Sequence, residues 1–294
     1  MERGIRTVAR KRTRKNEAAS APAQDTRGVA TAEASASALA SEAKYVYCII
    51  ESKKAQSFGK VGVGGRGDEV YAIIHGDLAA VVSDTAIAIH DPTRENVLGH
   101  ERVIEAVMEQ HSVLPMSFGT VFRTKDDVIA FLTDTHDALR DVIGQVRDKI
   151  EFGVQVNWDR DAVVRDIEAQ SDEVARLKTQ IQRATSGSTY FARVQLGRLV
   201  ERLLSERADN YVREIYDTLR ADAVASKLNK PIGERMILNA AFLVERGHAE
   251  RFDRRMHEVA RRYEGRLAFR YTGPWPPYNF VNVRLTLQQS GARA

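Results

Sequence analysis

The residues 62–67, GVGGRG, satisfy the spacing G-x-G-x-x-G. Such glycines let a backbone approach a pyrophosphate when they close a strand and open a helix. Here they run into Asp68-Glu69 and then an apolar stretch that reads as a strand, so a flexible loop between strands is expected instead. His100-Glu101 begins like a zinc-protease helix, but position 104 is Ile where the second His is required. The seven histidines (75, 90, 100, 111, 136, 248 and 257) include no i,i+4 pair. On one helix, His100 and His111 would stand roughly 16 Å apart, too far for a shared metal. Internally satisfied or partly exposed histidines are expected.

The remaining chemical groups point the same way. Cys48 is the single cysteine, set in an apolar run where a thiol behaves as a small hydrophobe with a raised pKa. It excludes an internal disulfide and a cysteine-type zinc site, and it fits a reducing compartment. The acid pairs Asp126-Asp127 and Asp159/Asp161 fall at the starts of predicted helices, where the dipole and free amides favour carboxylates without catalysis. Neither a G-x-S-x-G elbow nor a P-loop occurs. No catalytic residue, cofactor or metal site is assigned, and an enzyme is not expected.

The chain that must position these groups has 294 residues, 43% hydrophobic and 29% charged, enough for about two domains. Its net charge of +4 is misleading. Residues 1–16 carry seven Lys/Arg (Arg3, Arg6, Arg10, Lys11, Arg12, Arg14 and Lys15) against Glu2 alone, so the rest of the chain is slightly acidic. Residues 17–43 are rich in Ala, Ser and Thr, a composition that cannot offset the entropy of ordering, and 1–43 reads as a disordered extension. No apolar run is long enough to span a membrane. The basic arm lacks interleaved aromatics, so nucleic acid is not expected as a partner.

Two α+β units follow, at 44–147 and 148–290. The first opens on a buried strand, Tyr45 to Ile50, and continues as a hairpin, Val70–Ile74 and Leu78–Val82, turned by His75-Gly76-Asp77. A helix opens at Asp91-Pro92, Val113–Phe122 reads as one strand, and Thr124 with Asp127 forms a capping box for a helix to about Lys149. The second unit starts with the clean alternation Ile150, Phe152, Val154, Val156, Trp158. Helices are predicted over 160–183, 190–227 and 248–263, and strands over Met236–Val244 and Leu267–Tyr271. The 190–227 helix would be roughly 57 Å long, more than four short strands can cover, so part of it should project or pair. The closing segment GPWPPYNFV is the most distinctive. Prolines 274, 276 and 277 hold the backbone extended while Trp275, Tyr278 and Phe280 supply contact area. Trp275, Pro276, Pro277, Tyr278 and Phe280 are therefore candidates for a protein-binding edge, against the alternative of a packed connecting loop.

Six segments carry a family resemblance: YVYCII, HGDLAAVVS (75–83), PTRENVLGHERVIEAVMEQHSVLPMSFGTVF (92–122), IEFGVQVNW (150–158), NAAFLVER (239–246) and YTGPWPPYNFV (271–281). In order and across 44–287, the chain resembles the gas vesicle GvpL/GvpF family. The arm at 1–43 departs from that pattern. The resemblance implies two tandem ferredoxin-like α/β-sandwich domains, the second with a long helical insertion. It also implies a non-catalytic, cytoplasmic, gas-vesicle-associated accessory protein that binds the shell protein GvpA and other accessory proteins and assists nucleation and assembly, with no cofactor or small-molecule substrate. Two alternatives stay open at this stage: a nucleic-acid-binding regulator using the basic arm, and an enzyme using the Gly62–Gly67 loop.

Overall fold

A computed structural model describes residues 43–64, 67–86, 90–183 and 189–281. The expected disordered extension therefore lies outside the described residues, apart from Ala43, which opens the first strand. The described chain divides into two compact units, Lys149–Trp275 and residues 43–148 together with 276–281. Each carries its own antiparallel sheet, and seven α-helices are distributed between them among the described residues.

The first unit is built round β1 (Ala43–Glu51), with eight consecutive buried residues from Ala43 to Ile50. β2 (Ser57–Gly59), β3 (Val70–His75) and β4 (Leu78–Thr85) extend the sheet on one side. β5 (Val113–Pro115) and β6 (Val121–Phe122) both pair with the other side of β1. Ignoring the short β2 and β6, the order β3-β4-β1-β5 is the ferredoxin-like order with a loop in place of the first crossover helix. The second crossover is α1 (Arg94–Met108), which follows the N-cap Thr93 rather than opening at Pro92. Burial of β1 on both faces has a clear cause. Tyr45 and Tyr47 face α1, while Val46 and Ile49 join a core with Val128, Phe131 and Leu132 of α2 (Lys125–Asp134) and with Leu139 and Ile143 of α3 (His136–Val146). A bulge between Val46 and Cys48 lets Val46 and Ile49, three apart, share a face.

Two expectations are corrected here. The run 113–122 is not one strand: it leaves β1 after Pro115 and returns at Val121, because Pro115 has no amide for a ladder and Gly119 turns at φ +82°. The helix after the capping box is two helices, breaking at Thr135, which caps α2 and whose hydroxyl back-bonds to the Phe131 carbonyl. The capping box itself is present, with Asp127 N–H donating to Thr124 Oγ1 and Thr124 N–H to the Asp127 carboxylate.

In the second unit β7 (Lys149–Trp158) buries Ile150, Phe152, Val154, Val156 and Trp158, as its alternation dictates. α4 (Arg160–Gln170), α5 (Asp172–Arg183) and α6 (Tyr190–Arg220) follow, then β8 (Ala225–Leu228), β9 (Met236–Glu245), α7 (Ala249–Arg262) and β10 (Leu267–Trp275). The order β10-β7-β9-β8, all antiparallel, is the ferredoxin-like 4-1-3-2 arrangement, with α4 to α6 as the long helical insertion at the first crossover. The predicted 190–227 helix ends at Arg220 and is about 47 Å long; residues 225–228 pair with β9 instead. Its early part packs on α5 and its later part on the sheet and α7. Phe152, Phe252 and Tyr271 stack, with centroids 5.3 and 5.4 Å apart about Phe152, and Phe242 closes on Phe252 at 5.4 Å.

Phe252 is fully buried in that stack, so Phe252→Ala should cost about 3–5 kcal/mol, read as a lower urea midpoint for the second unit. Thr124→Ala removes only one half of a capping box and should cost about 1 kcal/mol in the same measurement on the first unit.

Candidate functional site

Where β5 and β6 part company, residues 116–120 stand off the edge of β1, yet they are not loose. Met116 N–H donates to the Tyr47 carbonyl at 2.9 Å, and Val46 N–H donates to the Thr120 carbonyl at 2.9 Å. Beneath them runs a chain of buried polar contacts. Gly119 N–H donates to Tyr45 Oη at 3.0 Å. Tyr45 Oη lies 3.0 Å from His100 Nδ1, and His100 Nε2 lies 3.2 Å from the Met116 carbonyl. A carbonyl only accepts, so Nε2 carries the hydrogen, and Nδ1 of the neutral ring accepts from the Tyr45 hydroxyl. One relay thus joins β1, α1 and both ends of the 116–119 turn.

Burial decides the protonation of this relay. His100 is 3% exposed, and desolvation pushes its pKa down from 6.5 to about 4 despite the hydrogen bond to Met116. Burial likewise pushes the Tyr45 hydroxyl up to about 12. Phe118 sits edge-on to both rings, 6.2 Å from Tyr45 and 5.8 Å from His100.

Above the relay lies an open groove of about 830 Å³ along the β5–β6 edge. Val97 and Glu101 of α1 form one wall, the 116–122 segment the floor, and Phe131 of α2 with Tyr278 and Val281 the other wall. Met116, Phe118, Val121 and Phe122 are half-buried, an apolar lining that is neither core nor fully solvated. Residues 276–281 reach the groove through two tight turns, Tyr278 N–H to the Pro276 carbonyl and Phe280 N–H to the Pro277 carbonyl, and Val281 packs against the unit's core.

The predicted interface residues are thereby divided. Tyr278 lines the groove and is 41% exposed; Phe280 is half-buried; Pro276 and Pro277 are buried. Trp275 ends β10, pairs with Glu151 and belongs to the other unit. Gly273 just before it leaves no room for a side chain, since a Cβ would meet the Glu151 carbonyl at 2.8 Å. The sequence did not reveal Val97, Met116, Phe118 or Phe122 as partners of Tyr278. The one available signal was that the two most distinctive motifs, HSVLPMSFGTVF and PPYNFV, were both rich in apolar residues next to prolines.

The other candidate groups have structural roles. Cys48 is buried and its thiol pKa is pushed up by desolvation. Asp127 caps α2, and Asp159 caps α4 by accepting from Ala162 N–H at 3.0 Å. His111 meets Gln56, and His136 meets Asp77 at 2.7 Å, which raises the imidazole pKa and lowers that of the carboxylate. Gly65 and Arg66 lie outside the described residues. Gly62 closes on the Asp68 carbonyl and the loop leads into β3, so no helix N-terminus follows the glycines. The basic residues Arg3 to Lys15 also lie outside the described residues. Among those described, no cluster of three or more His, Cys, Asp or Glu could hold a metal, and no helix is long and apolar enough to cross a membrane.

Since the unfolded chain binds a proton at His100 near pH 6.5 and the folded chain only near 4, stability is full above pH 6.5. It should fall by about 3 kcal/mol as pH drops to 4. In urea titrations across this range His100→Gln should flatten that fall; an unchanged acid slope would assign it to other groups.

Comparison with known proteins follows the same residues. Residues 43–282 match the family model described as gas vesicle synthesis protein GvpL/GvpF. Gas vesicle protein F of a Streptomyces species is 29% identical over 238 residues, covering 81% of this chain and 98% of that protein. Gas vesicle protein F1 of Halobacterium salinarum is 29% identical over 253 residues, covering 85% and 98%. The crystal structure of GvpF from Anabaena shares the fold, with a TM-score of 0.72 at 22% identity over 83% of this chain and 99% of that one.

Proposed function

This chain belongs to the GvpL/GvpF family of gas vesicle synthesis proteins, and from that premise we propose that it is a non-catalytic assembly factor that binds the shell protein GvpA. It holds GvpA, together with other accessory proteins, during vesicle nucleation and growth in the cytoplasm. The observation that carries this reading is the convergence of the two distinctive motifs, about 160 residues apart in sequence, on one apolar groove at a sheet edge.

The physics of the cargo supports it. A subunit that will build a gas-filled wall exposes apolar surface and unpaired strand edges before assembly, and both promote aggregation. The groove offers what such a subunit lacks: half-buried apolar side chains on a rigid frame, beside an edge where β5 and β6 supply only three and two residues of ladder. The relay under the turn holds the floor in place without a bound ligand, which limits the ordering cost of binding.

Capture of purified GvpA by the full chain provides the test. Tyr278→Ala combined with Met116→Ala should reduce capture at least about tenfold while the circular dichroism spectrum is unchanged. Capture equal to the parent protein would remove the groove from the interface. Trp275→Ala alone should leave capture unchanged, because that ring lies outside the groove lining.

A further inference from the structure

The helical insertion of the second unit carries a second surface, with a different chemistry from the groove. From Val174 to Val200 the sequence holds five basic residues, Arg176, Lys178, Arg183, Arg193 and Arg198, and no acidic one. The described parts of this run, 174–183 and 189–200, belong to α5 and to the start of α6, which pack on each other as a helical hairpin. It contrasts with a chain that is slightly acidic outside its first 16 residues. Lys178 is engaged by Glu168 of α4 at 2.6 Å, whereas Arg176 and Arg198 face a shallow hollow of about 500 Å³ between α5 and α6.

The hollow has the pattern of a helix seat. Leu177 of α5 and Leu199 of α6 form its apolar floor, with the guanidiniums of Arg176, Arg198 and Arg202 along the rim. Arg202 also approaches Glu173 at 3.6 Å, the one carboxylate lining the hollow. On α6 the stripe Phe191, Gln195, Arg198, Arg202 recurs at four, three and four residues, so a single face of the helix looks along this seat. At the hairpin's end Tyr190 and Phe191 are 71% and 78% exposed and stand edge to face at 5.6 Å. Exposed aromatic pairs of this size next to arginines are the composition of interface anchors.

We propose that the α5–α6 hairpin docks an acidic amphipathic helix of a partner protein, which lies along the seam between the two helices. The charge selects the occupant: leucines at helical spacing fill the floor, and glutamates or aspartates on the flanks of that stripe meet the arginine rim. Residues 282–294 of this chain carry two arginines and no acid, so its own end does not suit the seat. A helix seat also accounts for the apolar floor, which a purely phosphate-binding surface would not require. The proposal is independent of the groove in the first unit, so failure of one leaves the other standing.

The test titrates the full chain into a fluorescent synthetic helix with leucine at helical spacing and glutamate on both flanks. A second helix has the same leucines with lysine in place of every glutamate. The glutamate helix should bind saturably and the lysine helix at least about tenfold more weakly. Arg176→Glu combined with Arg198→Glu, both exposed positions on helix surfaces, should reverse that preference with the helical content unchanged. Equal binding of the two helices, or no reversal, would overturn the proposal. So would tighter binding of single-stranded DNA, or of phosphatidylserine/phosphatidylcholine vesicles, lost in the same double variant; either would make this surface a nucleic-acid or lipid site.

Discussion

A hydroxyl and an imidazole taken out of water must both find partners, and in the first unit they find each other. Tyr45 sits on a strand with sheet on both sides and helices over both faces, and His100 is buried on the helix that covers it. Leaving either unpaired would cost about 1–3 kcal/mol. The pairing is completed only by Gly119 N–H at one end and the Met116 carbonyl at the other. The need to satisfy two buried polar groups therefore fixes the position of a surface turn. That turn can expose Phe118 and Met116 at a sheet edge without collapsing onto it, and the groove exists because of this.

The two units solve the same topology with different layers. In the first, α1 covers one face of the sheet and α2 with α3 the other, which is why β1 reads as a continuous apolar run. In the second, β7 keeps Gly153, Gln155 and Asn157 on a half-exposed face, and the sequence alternates accordingly. The extra helical material of the second unit goes into length: α5 and the start of α6 pair with each other, and their charge rather than their apolarity distinguishes them.

Much of this was legible in the sequence, for identifiable reasons. The alternation of β7, the Thr124–Asp127 box and the Gly76-Asp77 hairpin depend on neighbours within a few residues, and they are found where local rules put them. The misjudged elements depend on distant partners. Apolar spacing carries on past Arg220, but Ala225–Leu228 becomes a strand because β9 offers it a ladder. The run 113–122 is apolar enough to read as one strand, but Pro115 and Gly119 interrupt it, and the excursion supplies the groups that Tyr45 and His100 require. His100 is internally satisfied, one of the two outcomes expected of the histidines, but the sequence names no partner for it, and that partner is 55 positions away. The groove was invisible for the same reason: no local pattern tells Tyr278 that it will lie beside residues 116–122.

We propose the edge groove, whose floor the Tyr45–His100 relay positions, as the place where the shell protein GvpA docks. Amide hydrogen exchange of the full chain, with and without purified GvpA, tests it most directly. Protection confined to residues 115–122 and 276–281, with the second sheet unchanged, is the predicted result. GvpA-dependent protection elsewhere, with 115–122 exchanging as in the free chain, would contradict it.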